Sequence, residues 1–255
     1  MEFVLHAGHG EFPRAIFAPG SVEQCFDLAK RSLHLAERYQ GPVFILSDQF
    51  LADSYRTVAP FELGGTPPVQ PWSTTGLKVK TPYHRFALTE TGVSPRMLPG
   101  LTEHLVVADS DEHTEDGHIT EDLSVRVRMV RKRLAKGAGI RFEVMPPEYL
   151  GDAKPEVLLL CWGSSRGAVL EAAVRLRAQG RRSATLHFSQ VWPLKPEQFM
   201  HHLQQAKRVI SVEGNATGQM ARLIRRETGF EIAERVPRYD GLPITPKYIL
   251  RQLAQ

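Results

Sequence analysis

The chain has 255 residues, 42% hydrophobic and 24% charged, enough for two ordinary domains with real cores and too apolar for global disorder. Its net charge of +4 is scattered apart from a basic cluster at Arg126 to Lys136, so nothing resembles a nucleic-acid-binding stripe. The longest apolar run, Val157 to Trp162, is far short of the roughly 20 residues that cross a bilayer, and Met1 to Ala7 lacks the basic start of a signal peptide, so a cytoplasmic protein is expected.

Ala15 to Ala18 reads as a short strand turned by Pro19-Gly20. Ser21, with Gln24 three residues on, carries the signature of a capping box, and the helix it starts is expected to run to Tyr39. Val22, Cys25, Phe26, Ala29, Leu33 and Ala36 fall at helical spacing and are its expected buried face. Gly41-Pro42 stops the helix before a second apolar strand, Val43 to Ser47. One strand–helix–strand unit cannot cover both faces of a parallel sheet. Residues 1-56 are therefore expected to be a partial α/β domain whose remaining strands come from another chain or from residues outside this one.

Residues 57-154 read as a long connecting region, broken by Pro60, Pro67, Pro68, Pro71, Pro82, Pro95 and Pro99. Its clear element is a helix over 121-136, begun by acidic residues and ended by Lys136, in accord with the macrodipole. Leu123, Val127, Val130 and Leu134 form its apolar seam. Arg126, Arg131 and Arg133 lie off the seam, either as a solvated face or as a docking surface for an acidic partner.

Residues 155-255 are the best specified. Strands at Val157 to Trp162, Ala184 to Phe188, Val209 to Val212 and Ile232 to Val236 alternate with helices near Gly167 to Gln179, Pro196 to Gln205 and Thr217 to Thr228. That alternation predicts a compact α/β domain with a mainly parallel sheet and right-handed crossovers.

Five segments invite chemistry. His9 to Arg14 precedes the first strand; Arg14, with His9 beside it, is the candidate to grip a carboxylate with its planar fork, against a structural pairing with an acid such as Glu11. The turn Gly163-Ser164-Ser165-Arg166-Gly167 joins a strand to a helix and is either a tight turn alone or an anion contact; it is neither a GxGxxG nor a P-loop. In Glu213 to Gln219, Asn215 and Gln219 serve either local capping or an interface, and Asp240 lies in the Tyr239 to Pro243 turn. Asp109 to Asp122 holds seven carboxylates with His113 and His118, but no register matches an EF-hand and the histidines are five apart, so no metal is expected. The two cysteines, Cys25 and Cys161, read as buried small hydrophobes and cannot supply the four sulfurs of an iron–sulfur cluster.

In this order, HGEFPRAIFAPGS, DSDEHTEDGHITED, GSSRGAV, SVEGNATGQMARL and YDGLPITP resemble the alpha subunit of the 2-oxoacid:ferredoxin oxidoreductases, from about His9 to Leu250. Ser94-Pro95-Arg96 and DEHTEDGHITED resemble the 2-oxoglutarate type. The resemblance implies a partial thiamine-diphosphate pyrimidine domain, a connecting region and a transketolase C-terminal-like domain that is largely architectural. It also implies a reaction: the cofactor adds to the 2-oxoacid, the electrons left by decarboxylation pass singly through an iron–sulfur cluster to ferredoxin, and coenzyme A takes the acyl group. In that family the alpha subunit covers the aminopyrimidine ring and gives it a glutamate, while a beta subunit binds the diphosphate, magnesium and a [4Fe-4S] cluster, in assemblies up to (alpha-beta)2. The glutamate is expected in a segment earlier than this chain's start, so the isolated chain is expected to be inactive and to bind thiamine diphosphate weakly or not at all. Leu242 stands where the family usually carries arginine, so that arginine's anion contact is not carried over. Two alternatives accompany this reading: a non-catalytic alpha-like docking subunit, and a stand-alone α/β anion or nucleotide binder using Gly163 to Gly167.

Overall fold

The computed structural model describes residues 1–61, 81–100 and 102–254, and begins with a short helix α1 (Glu2–His6) and strand β1 (Ala15–Phe17). Ser21 caps helix α2 (Val22–Tyr39), its hydroxyl accepting from the Gln24 N–H at 3.2 Å. The Gln24 side chain reaches back 2.7 Å to the N–H of Gly20, one residue before the cap, a variant of the expected box. Gln40 leaves the helix in the left-handed conformation and leads to strand β2 (Val43–Ile45), parallel to β1. Asp48 caps the short helix α3 (Gln49–Ala52). Of the connecting-region prolines, Pro67, Pro68 and Pro71 lie outside the described residues. Helix α4 (Leu123–Phe142) follows, with the Asp122 carboxylate accepting from the N–H groups of Ser124 and Val125.

Both long helices bury a different stripe from the one expected. On α2 the buried residues are Leu28, Ser32, Leu35 and Tyr39, while Leu33 is 59% exposed. On α4 they are Val125, Met129, Lys132 and Ile140, while Leu123 and Val127 face water. The reason is mutual packing. Leu28, Leu35 and Tyr39 meet Ile140 and the β1 residues Ala15 and Phe17 in one cluster, so the α2–α4 contact chooses among apolar residues that each helix carries on more than one side. Helix α4 also runs past Lys136 to Phe142, through two glycines that would normally weaken it. Gly139 is required there: a Cβ would stand 2.4 Å from a carbon of the Tyr39 ring.

The C-terminal half contains strands β3 (Glu148–Gly151) and β4 (Val157–Trp162), helix α5 (Arg166–Ala178), strands β5 (Ser183–Phe188) and β6 (Gln190–Trp192), and helix α6 (Met200–Gln205). Strand β7 (Arg208–Glu213), helix α7 (Gln219–Thr228), strand β8 (Glu234–Pro237) and helix α8 (Pro246–Leu253) complete it. The sheet order is β3-β5-β4-β7-β8, parallel except for β3, so the expected mainly parallel sheet is present. Strands β3 and β6 escaped the sequence reading because EYLG and QVW are too short to show a period. Central β4 is buried on both faces, Leu158 and Leu160 packing into one cluster and Leu159 and Cys161 into the other.

Strand β6 pairs antiparallel with β1, giving a second sheet of order β2-β1-β6. This corrects the expectation that further strands for the N-terminal sheet come only from outside: the third is supplied by the chain's own C-terminal half. Ile16 and Ala18 share a core cluster with Leu158, Leu186 and Phe188, so the two sheets pack on common side chains. Gly20 sits at the closest approach, where a Cβ would lie 2.7 Å from His187 Nε2 and 2.8 Å from the Gly163 carbonyl oxygen. Gly20→Ala is expected to cost about 1–3 kcal/mol by overpacking. Gly167→Ala, in helix α5 with open space around it, is expected to be neutral or stabilising by up to about 1 kcal/mol. Urea midpoints of the two variants check the pair.

Candidate functional site

Open α/β sheets bind ligands beyond the carboxyl ends of their strands, and here that edge carries a cavity of about 1020 Å³. Pro19, beyond β1, and Leu46 and Ser47, beyond β2, line it, as do Asp48 and Phe50 at α3. So do Trp162 to Ser165 after β4, Gly214 after β7, and Arg238, Tyr239 and Gly241 to Ile244 after β8. Three of the turns singled out from sequence thus converge on one space.

The Gly163 turn is held from below. Ser165 donates to the Trp162 carbonyl at 2.8 Å, and the Ser164 hydroxyl donates to the Asp48 carboxylate. Arg166 lies outside the cavity lining and makes a two-pronged pair with Glu148 of β3, at 2.7 and 2.8 Å, which holds the Glu148 carboxyl below the usual range. The turn therefore presents hydroxyls beside a carboxylate, while its guanidinium is already committed. His187, 1% exposed, lies beneath with Nε2 3.2 Å from the Gly163 carbonyl oxygen, and burial pushes its pKa down to about 4.

Glu213 organises the second turn, and it was missing from the candidate residues although it heads the Glu213 to Gln219 segment. Its carboxylate is 2% exposed. It accepts from the Ser211 hydroxyl at 2.7 Å, Asn215 Nδ2 at 2.9 Å, Trp162 Nε1 at 3.1 Å, and the Met220 and Ala221 N–H groups at 2.9 and 3.1 Å. The available signal was an acid at a strand end just before a helix N-terminus, where the dipole favours it. Asn215 Oδ1 accepts from the N–H groups of Gly218 and Gln219 at 2.8 and 3.1 Å, and Gln219 Oε1 accepts from the N–H of Glu2 at 3.2 Å. Asn215 is spent on the local turn, whereas Gln219 ties the start of α7 to α1. Asp240 accepts from Arg238 Nε and the Leu242 N–H, each at 3.0 Å, and Arg238 holds its carboxyl below the usual range. That turn sets Tyr239 and Leu242, 72% and 62% exposed, at the cavity wall.

Arg14 and His9 lie elsewhere. Arg14 is buried at 5% exposure, lines a separate cavity of about 550 Å³ at the amino end of β1, and makes no ion pair with Glu11. His9 is exposed and is not among that cavity's lining residues. In the acidic segment Glu112 forms a two-pronged pair with Arg133 at 2.7 and 2.9 Å, and Asp109 accepts from the Ile119 N–H at 2.6 Å. These contacts staple the segment to α4 and to itself, and no three His, Cys, Asp or Glu side chains among the described residues come together as a metal site. Cys161 is buried, its thiol pushed up to about 12, whereas Cys25 is half-buried. No helix among the described residues is long and apolar enough to cross a membrane.

The model of the family "pyruvate flavodoxin/ferredoxin oxidoreductase, thiamine-diphosphate-binding" matches residues 2–132, half of the chain. The chain belongs to that family. Within this oxidoreductase family, the 2-oxoacid:ferredoxin oxidoreductase alpha subunit of Saccharolobus solfataricus is 33% identical over 95% of this chain and 39% of its own length. The alpha subunit of 2-oxoacid:ferredoxin oxidoreductase 1 of Aeropyrum pernix is 35% identical over 95% of this chain and 38% of its own length. The solved 2-oxoglutarate:ferredoxin oxidoreductase of Magnetococcus marinus, with 2-oxoglutarate, coenzyme A and succinyl-CoA bound, matches with a TM-score of 0.77 at 28% identity, over 98% of this chain and 43% of that one. The chain thus spans about two-fifths of the length of these relatives.

Burial of neutral His187 has a pH consequence. Its folded pKa lies below the ordinary 6.5, so its contribution to stability is fully present above pH 6.5 and is lost as pH falls toward 4, where only the unfolded chain takes up the proton. Between pH 7 and pH 5 the wild type is expected to lose about 2 kcal/mol through this group. Urea unfolding of His187→Gln at the two pH values should show that part of the loss gone.

Proposed function

We propose that this chain is part of the alpha subunit of a thiamine-diphosphate-dependent 2-oxoacid:ferredoxin oxidoreductase, and that its carboxyl-edge cavity covers the ring end of the cofactor. The observation that carries the reading is the convergence of the Gly163, Gly214 and Tyr239 turns on one cavity of about 1020 Å³, in a chain of this family. The lining chemistry supports the ring end. Asp48 and Asp53 supply carboxylates, Ser47 and Ser164 hydroxyls, and Phe50, Trp162 and Tyr239 aromatic surface. Among the described residues Arg238 is the single lysine or arginine of that lining, and it is already bound to Asp240 and the Pro243 carbonyl. Such a surface suits a cationic heteroaromatic ring and opposes a diphosphate. The diphosphate, its magnesium and the [4Fe-4S] cluster therefore fall to a partner beta subunit. When bound, thiamine diphosphate supplies the electron sink for decarboxylation; this chain contributes position, exclusion of water and the local field.

The substrate we assign is 2-oxoglutarate, converted to its acyl-coenzyme A with ferredoxin as electron acceptor. Support comes from the Magnetococcus marinus enzyme and from a Mycobacterium tuberculosis relative named 2-oxoglutarate oxidoreductase subunit KorA, 32% identical over 87% of this chain. Ser94 and Arg96 of the 2-oxoglutarate-like segment serve structure: Ser94 donates to the Ala87 carbonyl at 2.8 Å, and Arg96 pairs with Glu37. Apolar residues left in water on α2 and α4, Leu33, Leu123 and Val127, supply a face for the beta subunit, and exposed Arg126 and Arg131 a face for acidic ferredoxin. A cytoplasmic (alpha-beta)2 assembly accords with those partners.

The test is expression with and without the beta chain, followed by co-elution and ferredoxin reduction driven by 2-oxoglutarate and coenzyme A. The isolated chain is expected to be inactive. Ser164→Trp, which adds an indole to the cavity lining, is expected to leave co-elution intact and to lower turnover of the assembled enzyme by at least roughly a hundredfold. Failure to co-elute with any beta chain would sink the subunit reading.

A further inference from the structure

The second cavity, of about 550 Å³, lies at the amino end of β1 and shares no lining residue with the carboxyl-edge cavity. Arg14 is its distinctive wall. The side chain is 5% exposed, and taking a guanidinium out of water costs several kcal/mol unless a counter-charge is present. Both hydrogen bonds it makes leave from one nitrogen: Nη1 donates to the Val4 and Ala7 carbonyls at 2.8 and 2.5 Å. Among the described residues its other two nitrogens have no hydrogen-bond partner and no carboxylate pairs with it, while the guanidinium carbon stands 4.2 Å from the centre of the Phe12 ring. This is a charge fixed in place by backbone and ring with one edge left over.

The other cations of this cavity are answered. Arg141 binds Glu197 at 2.7 Å and the Leu194 carbonyl at 2.8 Å, and Arg226 binds Glu227 at 2.9 Å. Arg14 is then the one guanidinium of this lining that no carboxylate pairs with among the described residues; Glu11, Glu227 and His6 also line the space, and its apolar part is Phe12, Trp192, Leu194 and Leu134. We infer that this cavity is a binding site for a monocarboxylate with an apolar chain, its carboxylate on the free edge of Arg14 and its chain against Trp192 and Leu134. A dianion is disfavoured because a second charge would meet Glu11 or Glu227, which also line the space. The site does not rest on the oxidoreductase reading, since it lies at the opposite end of β1 from the cavity assigned to the cofactor.

The tryptophans separate the two cavities, because Trp192 lines this one and Trp162 the other. The experiment titrates 4-methylpentanoate into the full chain and follows the indole N–H signals by nuclear magnetic resonance, with 4-methylpentan-1-ol as the neutral isostere. Saturable movement of the Trp192 signal with Trp162 unmoved is expected, with the alcohol about tenfold weaker or more. Arg14→Gln should abolish the effect; because it also loosens the Val4 and Ala7 contacts, Leu134→Asp serves as the second variant. Leu134 is 45% exposed, so this change should leave the melting temperature nearly unaltered and weaken the acid by about tenfold through charge repulsion. A silent Trp192 signal, movement of Trp162 instead, equal binding of acid and alcohol, or undiminished binding to folded Leu134→Asp would each overturn the assignment.

Discussion

Strand β1 is three residues long, yet both halves of the molecule hang on its pairing. It bonds in parallel to β2 on one side and antiparallel to β6 on the other, and its Ile16 and Phe17 are completely buried. A short strand cannot hold such a position by ladder bonds alone; the hydrophobic contacts of Ile16 and Ala18 with the core beneath the large sheet lock it there. Because Gly20 lacks a side chain, the turn after β1 can lie against His187 and the Gly163 carbonyl. That contact brings the end of the small sheet to the carboxyl edge of the large one. The carboxyl-edge cavity is the space left between them, and the Arg14 cavity is its counterpart at the other end of the same strand.

Charge in this fold is handled by enclosure. Glu213 is enclosed by five donors, two of them N–H groups in the first turn of α7, so one carboxylate ties the ends of β4 and β7 to the start of that helix. Glu148 and Arg166 tie edge strand β3 to the Gly163 turn, and Glu112 with Arg133 ties the acidic segment to α4. Partly buried two-pronged pairs of this kind fix orientation more than they add stability. Their effect is to spend the residues that sequence spacing offered as anion contacts, leaving hydroxyls, carboxylates and rings on the cavity wall.

Local signals went far in the C-terminal half. Val157 to Trp162 is apolar throughout, as a strand covered on both faces must be, and the strand and helix alternation around it admits one handedness of crossover. The Ser21 cap was equally legible, because it depends on residues within one turn of itself. The buried stripes of α2 and α4 were not. Each helix carries apolar residues on more than one side, and only the approach of Tyr39 to Gly139 decides which side is covered.

Composition, periodicity and the order of five short signatures were thus sufficient for the fold class and the family, because those properties are written in near neighbours along the chain. The roles of the polar residues were decided by tertiary structure. Arg166 faces Glu148, Trp162 faces Glu213, and Arg14 faces two carbonyls and no acid, and none of these partners is marked by spacing. Whether a charged side chain is spent or free depends on what folding brings beside it from elsewhere in the sequence, and that distance in space has no local signature.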